Sequence, residues 1–452
     1  MLSLHPIKRS AREEPDRMGD PNQSATLFGR RRMRASQLTH LIGVAGLVLV
    51  FFVGTLRPVN LGALGLVATF LVGTLVVGEG PGQMFEGFPI DLLVLLTGIT
   101  YLFGIAANNG TVAFVVESAA RLIKGRPALI PWMVFVVASL PAMGGALGSA
   151  GVALLAPIAL RLARRYDIDR RMIGLMVVHG AAAGNFSPLN VLGAIVHQAV
   201  AQNGYDVSMA RLFFANVAYN LALALVIVTV FRRREAGVPP ASPAREVVVA
   251  GPARLRVDQA CSLLGLLVVA IGALGVGLNI GLLALTVAVA LHLAFPRSSG
   301  DAAGKIAWGV VLLVCGIVTY VAALQRYGTI DAVGGGIASM ATPLVAALLL
   351  CAVAAVTSAF ASSAGILGAM VPLALPLMAQ GTLPATGVVV ALALSATIVD
   401  ATPFSTVGAL VVASAEEDER PRIYRGMLIW GAAMVATAPV IAWLLFIFIP
   451  SR

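Results

Sequence analysis

The sequence predicts an all-α polytopic membrane protein made of two inverted repeats of about five transmembrane crossings each, every repeat holding a re-entrant hairpin and a broken helix. Composition is the first observation behind it. The 452 residues are 59% hydrophobic and 12% charged, against the ~25% charged of soluble domains, and several apolar runs reach the ~20 residues a bilayer crossing needs. The second is a polar, proline-broken stretch, Gly184-Asn185-Phe186-Ser187-Pro188-Leu189-Asn190, inside a long apolar run. It recurs about 215 residues later, where Asp400 to Val411 align without a gap on Asn185 to Val196. The third is that other motifs recur in the same order. Asn60-Leu61-Gly62 returns as Asn279-Ile280-Gly281, Thr100-Tyr101 as Thr319-Tyr320, Gly110-Thr111 as Gly328-Thr329, and Ser149-Ala150-Gly151 as Ser363-Ala364-Gly365. An odd number of crossings per half turns the second half over relative to the first.

Taken in order, residues 1–37 are polar and carry eight Lys or Arg, and read as a disordered basic tail, free or held at the membrane surface. The first repeat spans 38–231. Apolar runs near 38–56, 61–78 and 91–107 lead to an arm in which Glu117 and Arg121, four apart, can pair on one helix face. Residues 127–160 crowd Pro141, Gly144, Gly145, Gly148 and Gly151 into their middle. A second piece from Ser149 to Leu160 is too short to cross, so a re-entrant hairpin is expected. A broken helix at about 172–203 and a final run follow. Residues 232–258 are a basic, proline-containing linker, and the second repeat at 259–449 repeats the plan, with a hairpin at about 342–379 and a broken helix at about 385–415. Cys261, Cys315 and Cys351 lie in apolar runs without metal or redox spacing and read as core residues.

The net charge of +10 does not point to nucleic acid, because Lys and Arg fall between the apolar runs. With both termini outside, the inner segments collect 20 Lys or Arg against three outside plus the eight of the tail. That distribution favours external termini.

A break in a membrane helix frees backbone N–H groups at the positive end of the second half-helix, which makes an anion site. Ser187, Asn190, Thr402, Ser405 and Thr406 add donors at the breaks, and Ser149, Ser362 and Ser363 add more at the hairpin tips. Such a set can hold carboxylates without a buried Arg; alternatively, the hydroxyls only re-satisfy freed backbone groups. Asp400 stands where the first repeat has Asn185. It reads as a coupling residue for a transported cation, with Asn185 beside it, or as a structural cap. His179 is either a satisfied core residue or a proton relay, and Arg326 and Asp331 read as a local structural pair. No phosphate-binding Gly-rich loop, zinc-protease motif or paired-aspartate cluster is present, so an enzyme is not expected, and neither is a bound cofactor or resident metal.

Arg57 to Leu64, Phe85-Glu86-Gly87-Phe88-Pro89 with Thr100-Tyr101-Leu102-Phe103, and His179 to Pro188 together resemble the MatC-type malonate and dicarboxylate carriers, within the ion transporter superfamily that includes the divalent anion–sodium symporters. The likeness covers about 38–449. It implies a carrier of small dicarboxylates in the bacterial inner membrane, with a scaffold that often dimerises and an elevator-like transport unit of two hairpins and two broken helices. By position it places Ser149 and Ser363 at the hairpin tips, and Asn185 to Asn190 and Asp400 to Thr406 at the breaks. The symporters' Ser-Asn-Thr tips are absent here, where Gly148-Ser149-Ala150 and Ser362-Ser363-Ala364 stand. Coupling to Na+ or to H+ stays open. The expected function is cation-coupled transport of malonate or C4-dicarboxylates; the alternatives are an exchanger or exporter of citrate or an oxyanion, or a non-transporting membrane enzyme or subunit. The expected partners are the small dicarboxylate, membrane lipid and, in a homodimer, a second copy.

Overall fold

The computed structural model describes residues 21–57, 59–122, 127–235, 255–275, 278–340, 342–360 and 362–451. All regular structure among them is helical. The first half holds α1 (Pro21–Leu56), α2 (Leu61–Val72), α3 (Pro81–Met84), α4 (Ile90–Asn108), α5 (Thr111–Leu122), α6 (Ile130–Met143), α7 (Gly148–Arg165), α8 (Arg170–Ala183), α9 (Val191–Ala201) and α10 (Met209–Glu235). The second holds α11 (Val257–Gly275), α12 (Ile280–Ala294), α13 (Pro296–Ser299), α14 (Trp308–Arg326), α15 (Thr329–Met340), α16 (Pro343–Ser358), α17 (Ser363–Ala379), α18 (Ala385–Ile398), α19 (Thr406–Ala413) and α20 (Arg420–Trp443).

Among the described residues, six stretches are long and apolar enough to cross a membrane, and one of them is the broken α18–α19 segment Ala385–Ala413. Exposed Phe52, Leu75, Phe214, Leu293 and Ile429 give the surface the apolar character of a lipid-facing one. The second helix of each repeat is started by an asparagine. Asn60 accepts from the backbone N–H groups of Gly62 and Ala63, and Asn279 from that of Leu282, so each caps its helix.

The two repeats interlock through these helices. α2 crosses α14 and α12 crosses α4 at glycine contacts: a Cβ on Gly62 would stand 1.9 Å from the Leu312 carbonyl oxygen, and one on Gly98 2.4 Å from that of Gly281. Backbones this close exclude any side chain, the packing that serves membrane helices in place of hydrophobic burial. Tyr320 donates to the Gly43 carbonyl at 2.8 Å, and Asn109 to Ser262 Oγ at 2.7 Å, so α1 holds α14 and α11 holds the C-terminal end of α4, each in the other repeat.

Several expectations change. α1 begins at Pro21, so the polar residues from 21 to 37 are the opening turns of the first helix instead of an irregular tail; a proline at a helix start forfeits no hydrogen bond. α7 runs on through the arginines to Arg165. Charge ends the apolar run there without ending the helix, because Arg164 pairs with Glu416 and Glu419. Arg326 pairs with Glu79, not Asp331. Cys315 and Cys351 are buried and Cys261 only partly so. Residues 236–254 of the linker, residues 1–20, and the Glu117 and Arg121 side chains lie outside the described residues.

Candidate functional site

The first hairpin turns where the sequence removes helix-forming capacity. α6 meets Pro141 and then Gly144-Gly145, and Gly145 takes φ +101°. A Cβ there would stand 2.2 Å from Ile99 Cγ2 and 2.9 Å from the Leu189 carbonyl oxygen. Only glycine seats this turn against both α4 and the first break. In the second repeat α16 ends at Ser358 and α17 begins at Ser363.

The first break separates α8 from α9. Phe186 sits at φ +63°, which an aromatic residue seldom adopts, while its ring is buried. Asn190 restarts the chain as N-cap of α9, accepting from Leu192 N–H at 2.9 Å. The second break passes through a short turn, Val399–Ala401, and Ser405 caps α19 by accepting from Gly408 N–H at 3.0 Å.

Both breaks are lashed to their own hairpins. Ser187 Oγ donates to the Met143 carbonyl at 2.8 Å, and Thr402 Oγ1 to the Ala359 carbonyl at 2.7 Å. Asn190 Nδ2 donates to the carbonyls of Ala142 and Ala146. Ser405 Oγ turns back on Asp400 O and Thr402 O. These four side chains re-satisfy backbone groups that a break would otherwise strand.

The two hairpin tips and the two breaks then meet around one cavity of about 190 Å³. Of the residues singled out from sequence, Ser149, Asn185, Asn190, Ser362, Ser363, Asp400 and Thr406 line it; Ser187, Thr402 and Ser405 do not. Ser187 instead faces a larger crevice, of about 680 Å³, between the first break and α4 and α12. The central cavity is walled elsewhere by apolar residues, among them Leu313 of α14 and Val407.

Its polar edge is asymmetric. Asp400 accepts from Ser363 Oγ at 2.6 Å, and Ser363 in turn accepts from Ser358 at 3.1 Å. Across the pseudo-symmetry Asn185 is buried with its Oδ1 unpartnered. The helices α7 and α17 open onto the cavity, and neither carries a side-chain cap at Leu147 or Ser362. Their first N–H groups supply positive potential without a basic side chain. Asp400 is the one ionisable group among the described lining residues.

His179 does not line the cavity. It belongs to a buried chain with Trp430, Asn220 and Asn216. The two asparagines, four apart on the apolar helix α10, are polar groups at membrane depth that sequence reading passed over.

Residues 38–185 match the family model for the dicarboxylate carrier protein MatC N-terminus. The resemblance to MatC-type carriers is borne out over that segment. No curated protein matches the sequence. Among solved structures, the fold is similar to that of the Alcanivorax borkumensis YdaH transporter, whose topology is described as unusual, at 16% identity, with 91% of this chain and 97% of that chain covered and a TM-score of 0.60. At that identity the likeness concerns the fold, an all-α multi-pass membrane architecture.

Proposed function

We propose that the protein is a secondary transporter that carries small dicarboxylates, malonate or C4 diacids, across the bacterial inner membrane by cation-coupled, elevator-type alternating access, with both termini external. The observation that carries this reading is the cavity where two hairpin tips and two helix breaks converge, offering two uncapped helix N-termini, a free Asn185 amide and one carboxylate, Asp400. Helix ends and hydroxyls bind an anion reversibly, whereas a buried Arg would hold it too firmly for release.

The proton is the coupling ion in this reading. A dicarboxylate entering beside Asp400 brings like charge into a cavity walled by apolar residues, and a proton taken up with it removes the repulsion. Binding of acid and proton then favour each other, which is the coupling a symporter needs. Elevator movement suits the division between the interlocked α2, α4, α12 and α14 and the unit of hairpins and broken helices, with a homodimer holding the former in place.

Uptake of labelled malonate and succinate into proteoliposomes, with sodium and pH gradients imposed separately, tests the proposal. Uptake driven by an inward proton gradient is expected. Absence of gradient-dependent uptake of both acids would overturn it, and sodium-driven uptake indifferent to pH would overturn the proton assignment.

A further inference from the structure

The buried chain behind the first break has a direction. Trp430 Nε1–H donates to His179 Nε2 at 2.9 Å. An indole nitrogen can only donate, so Nε2 accepts, the ring is neutral, and His179 Nδ1–H donates to Asn220 Oδ1 at 3.0 Å. Asn220 Nδ2 then donates to Asn216 Oδ1, also at 3.0 Å. Asn216 Nδ2 ends the chain on the carbonyls of Ala182, Ala183 and Asn185, at 2.8, 3.2 and 3.1 Å. His179, Asn216 and Asn220 are all fully buried. A donor-only group at one end and acceptor-only carbonyls at the other leave no freedom to reverse any link.

Of the carbonyls it reaches, that of Ala182 also accepts from Asn185 N–H at 3.0 Å, while those of Ala183 and Asn185 lie past the last full turn of α8, where a helix end leaves carbonyls without i+4 donors. Another amide stands close to them in sequence, that of Asn185 itself, and asparagine side chains readily bond backbone carbonyls a few residues back. With Asn216 satisfying these carbonyls from behind, Asn185 has no such demand on it. Its Oδ1 is unpartnered and its side chain lines the cavity.

We infer that Trp430, His179, Asn220 and Asn216 form a positioning relay that keeps the Asn185 amide free to meet the substrate, one end donating to a carboxylate and the other accepting an acid proton. His179 is thereby a fixed neutral link and carries no proton across the membrane. The inference rests on the carrier reading for its ligand, but its geometry can be read without one.

The test follows the side-chain amide resonance of Asn185 in the 15N-Asn-labelled full-length protein, identified by its loss in Asn185→Ala. In Asn216→Leu, and in Asn220→Leu should the first fold poorly, the resonance is expected to shift and gain protection from solvent exchange as Asn185 turns back onto the Ala182 and Ala183 carbonyls. His179→Phe should do the same, and His179→Gln, which still donates and accepts, should restore the wild-type signal. Malonate titration is the second readout. Asn216→Leu should weaken binding at least tenfold, and adding it to Asn185→Ala should cost nothing further. An Asn185 signal unchanged in the leucine variants, or fully additive losses, overturns the relay. A resonance that responds to the relay variants in a protein that binds neither malonate nor succinate upholds the relay and counts against the carrier reading alone.

Discussion

The two helix breaks are copies in sequence, each tied to its own hairpin by a hydroxyl, and opposites in what stands behind them. Behind the first, α10 offers Asn216 to the carbonyls at the end of α8; behind the second, α20 offers Gly431, whose absent Cβ would stand 2.5 Å from Thr402 Cγ2. The first break is braced by hydrogen bonds and presents a neutral amide, Asn185. The second is braced by close apolar packing and presents a carboxylate, Asp400. A polar brace behind Asp400 would supply it with further partners and fix its charge state. Dry backing leaves Ser363 as its described hydrogen-bond donor, on the hairpin tip that borders the cavity.

Exchanging this asymmetry at the cavity gives the largest expected effect. Asp400→Asn makes the second break a copy of the first, and uptake should lose its dependence on a pH gradient, with gradient-driven flux falling at least tenfold. Malonate binding by titration should persist within a fewfold of wild type, because the helix N-termini remain. Coupling that survives the substitution would remove Asp400 from the mechanism.

The next effect concerns the backing. Gly431→Ala forces a methyl against Thr402, and overpacking of this kind costs about 1–3 kcal/mol. A lowered melting temperature with a displaced second break is expected. The informative partner is Gly426→Ala on the same helix, where the nearest atom to a Cβ is Cδ of the Arg171 side chain and not backbone. Gly426→Ala should cost less, and equal losses would show that the Thr402 contact does not set the cost at Gly431.

Smaller again are the hydroxyl tethers. Ser187→Ala and Thr402→Val each strand a hairpin carbonyl, for about 1–3 kcal/mol. Thermal unfolding should register both, with dicarboxylate affinity moving less than it does in Asn185→Ala. A larger affinity loss than that would return these two residues to the binding set.

Much of this arrangement was legible in the chain itself. Pro188 and Pro403 mark the breaks because proline lacks the N–H a helix needs, and Gly144-Gly145 mark a hairpin turn because glycine lowers helix propensity and admits a positive φ. The 215-residue offset alone pairs Asn185 with Asp400. What stayed hidden was direction. A short hydroxyl at a break can face the cavity or turn to a carbonyl behind it, and Ser187, Thr402 and Ser405 turn back because the hairpin ends come within reach. His179 read alone left relay and core residue both open, since the partners that decide its state, Asn220 and Trp430, are 41 and 251 residues away. Nearness in sequence likewise suggests Asp331 for Arg326, while the fold brings Glu79, 247 residues away.

The smallest expected effect lies at the far end of α8, where the comparison of the two repeats can be sharpened by pH. Asp169 caps α8 by accepting from Arg171 N–H at 2.8 Å, whereas α18 starts at Pro384 without a side-chain cap. Burial works to raise the Asp169 pKa, but the Arg171 hydrogen bonds and the charges of Arg171 and Arg422 outweigh it and hold the carboxyl below its ordinary value. A carboxyl with a depressed folded-state pKa contributes stability above its unfolded value, about 3.9, and that contribution is lost as pH falls through the folded value. Asp169→Asn should therefore lower the melting temperature slightly at pH 7, consistent with at most about 1 kcal/mol for a partly exposed ion pair. The difference from wild type should begin to shrink as the pH is taken below about 3.9 and vanish once it has passed below the folded-state value. A deficit that persists undiminished there would mean that the cap acts through its hydrogen bond alone, and that the arginines contribute nothing to holding the leading half of the first break.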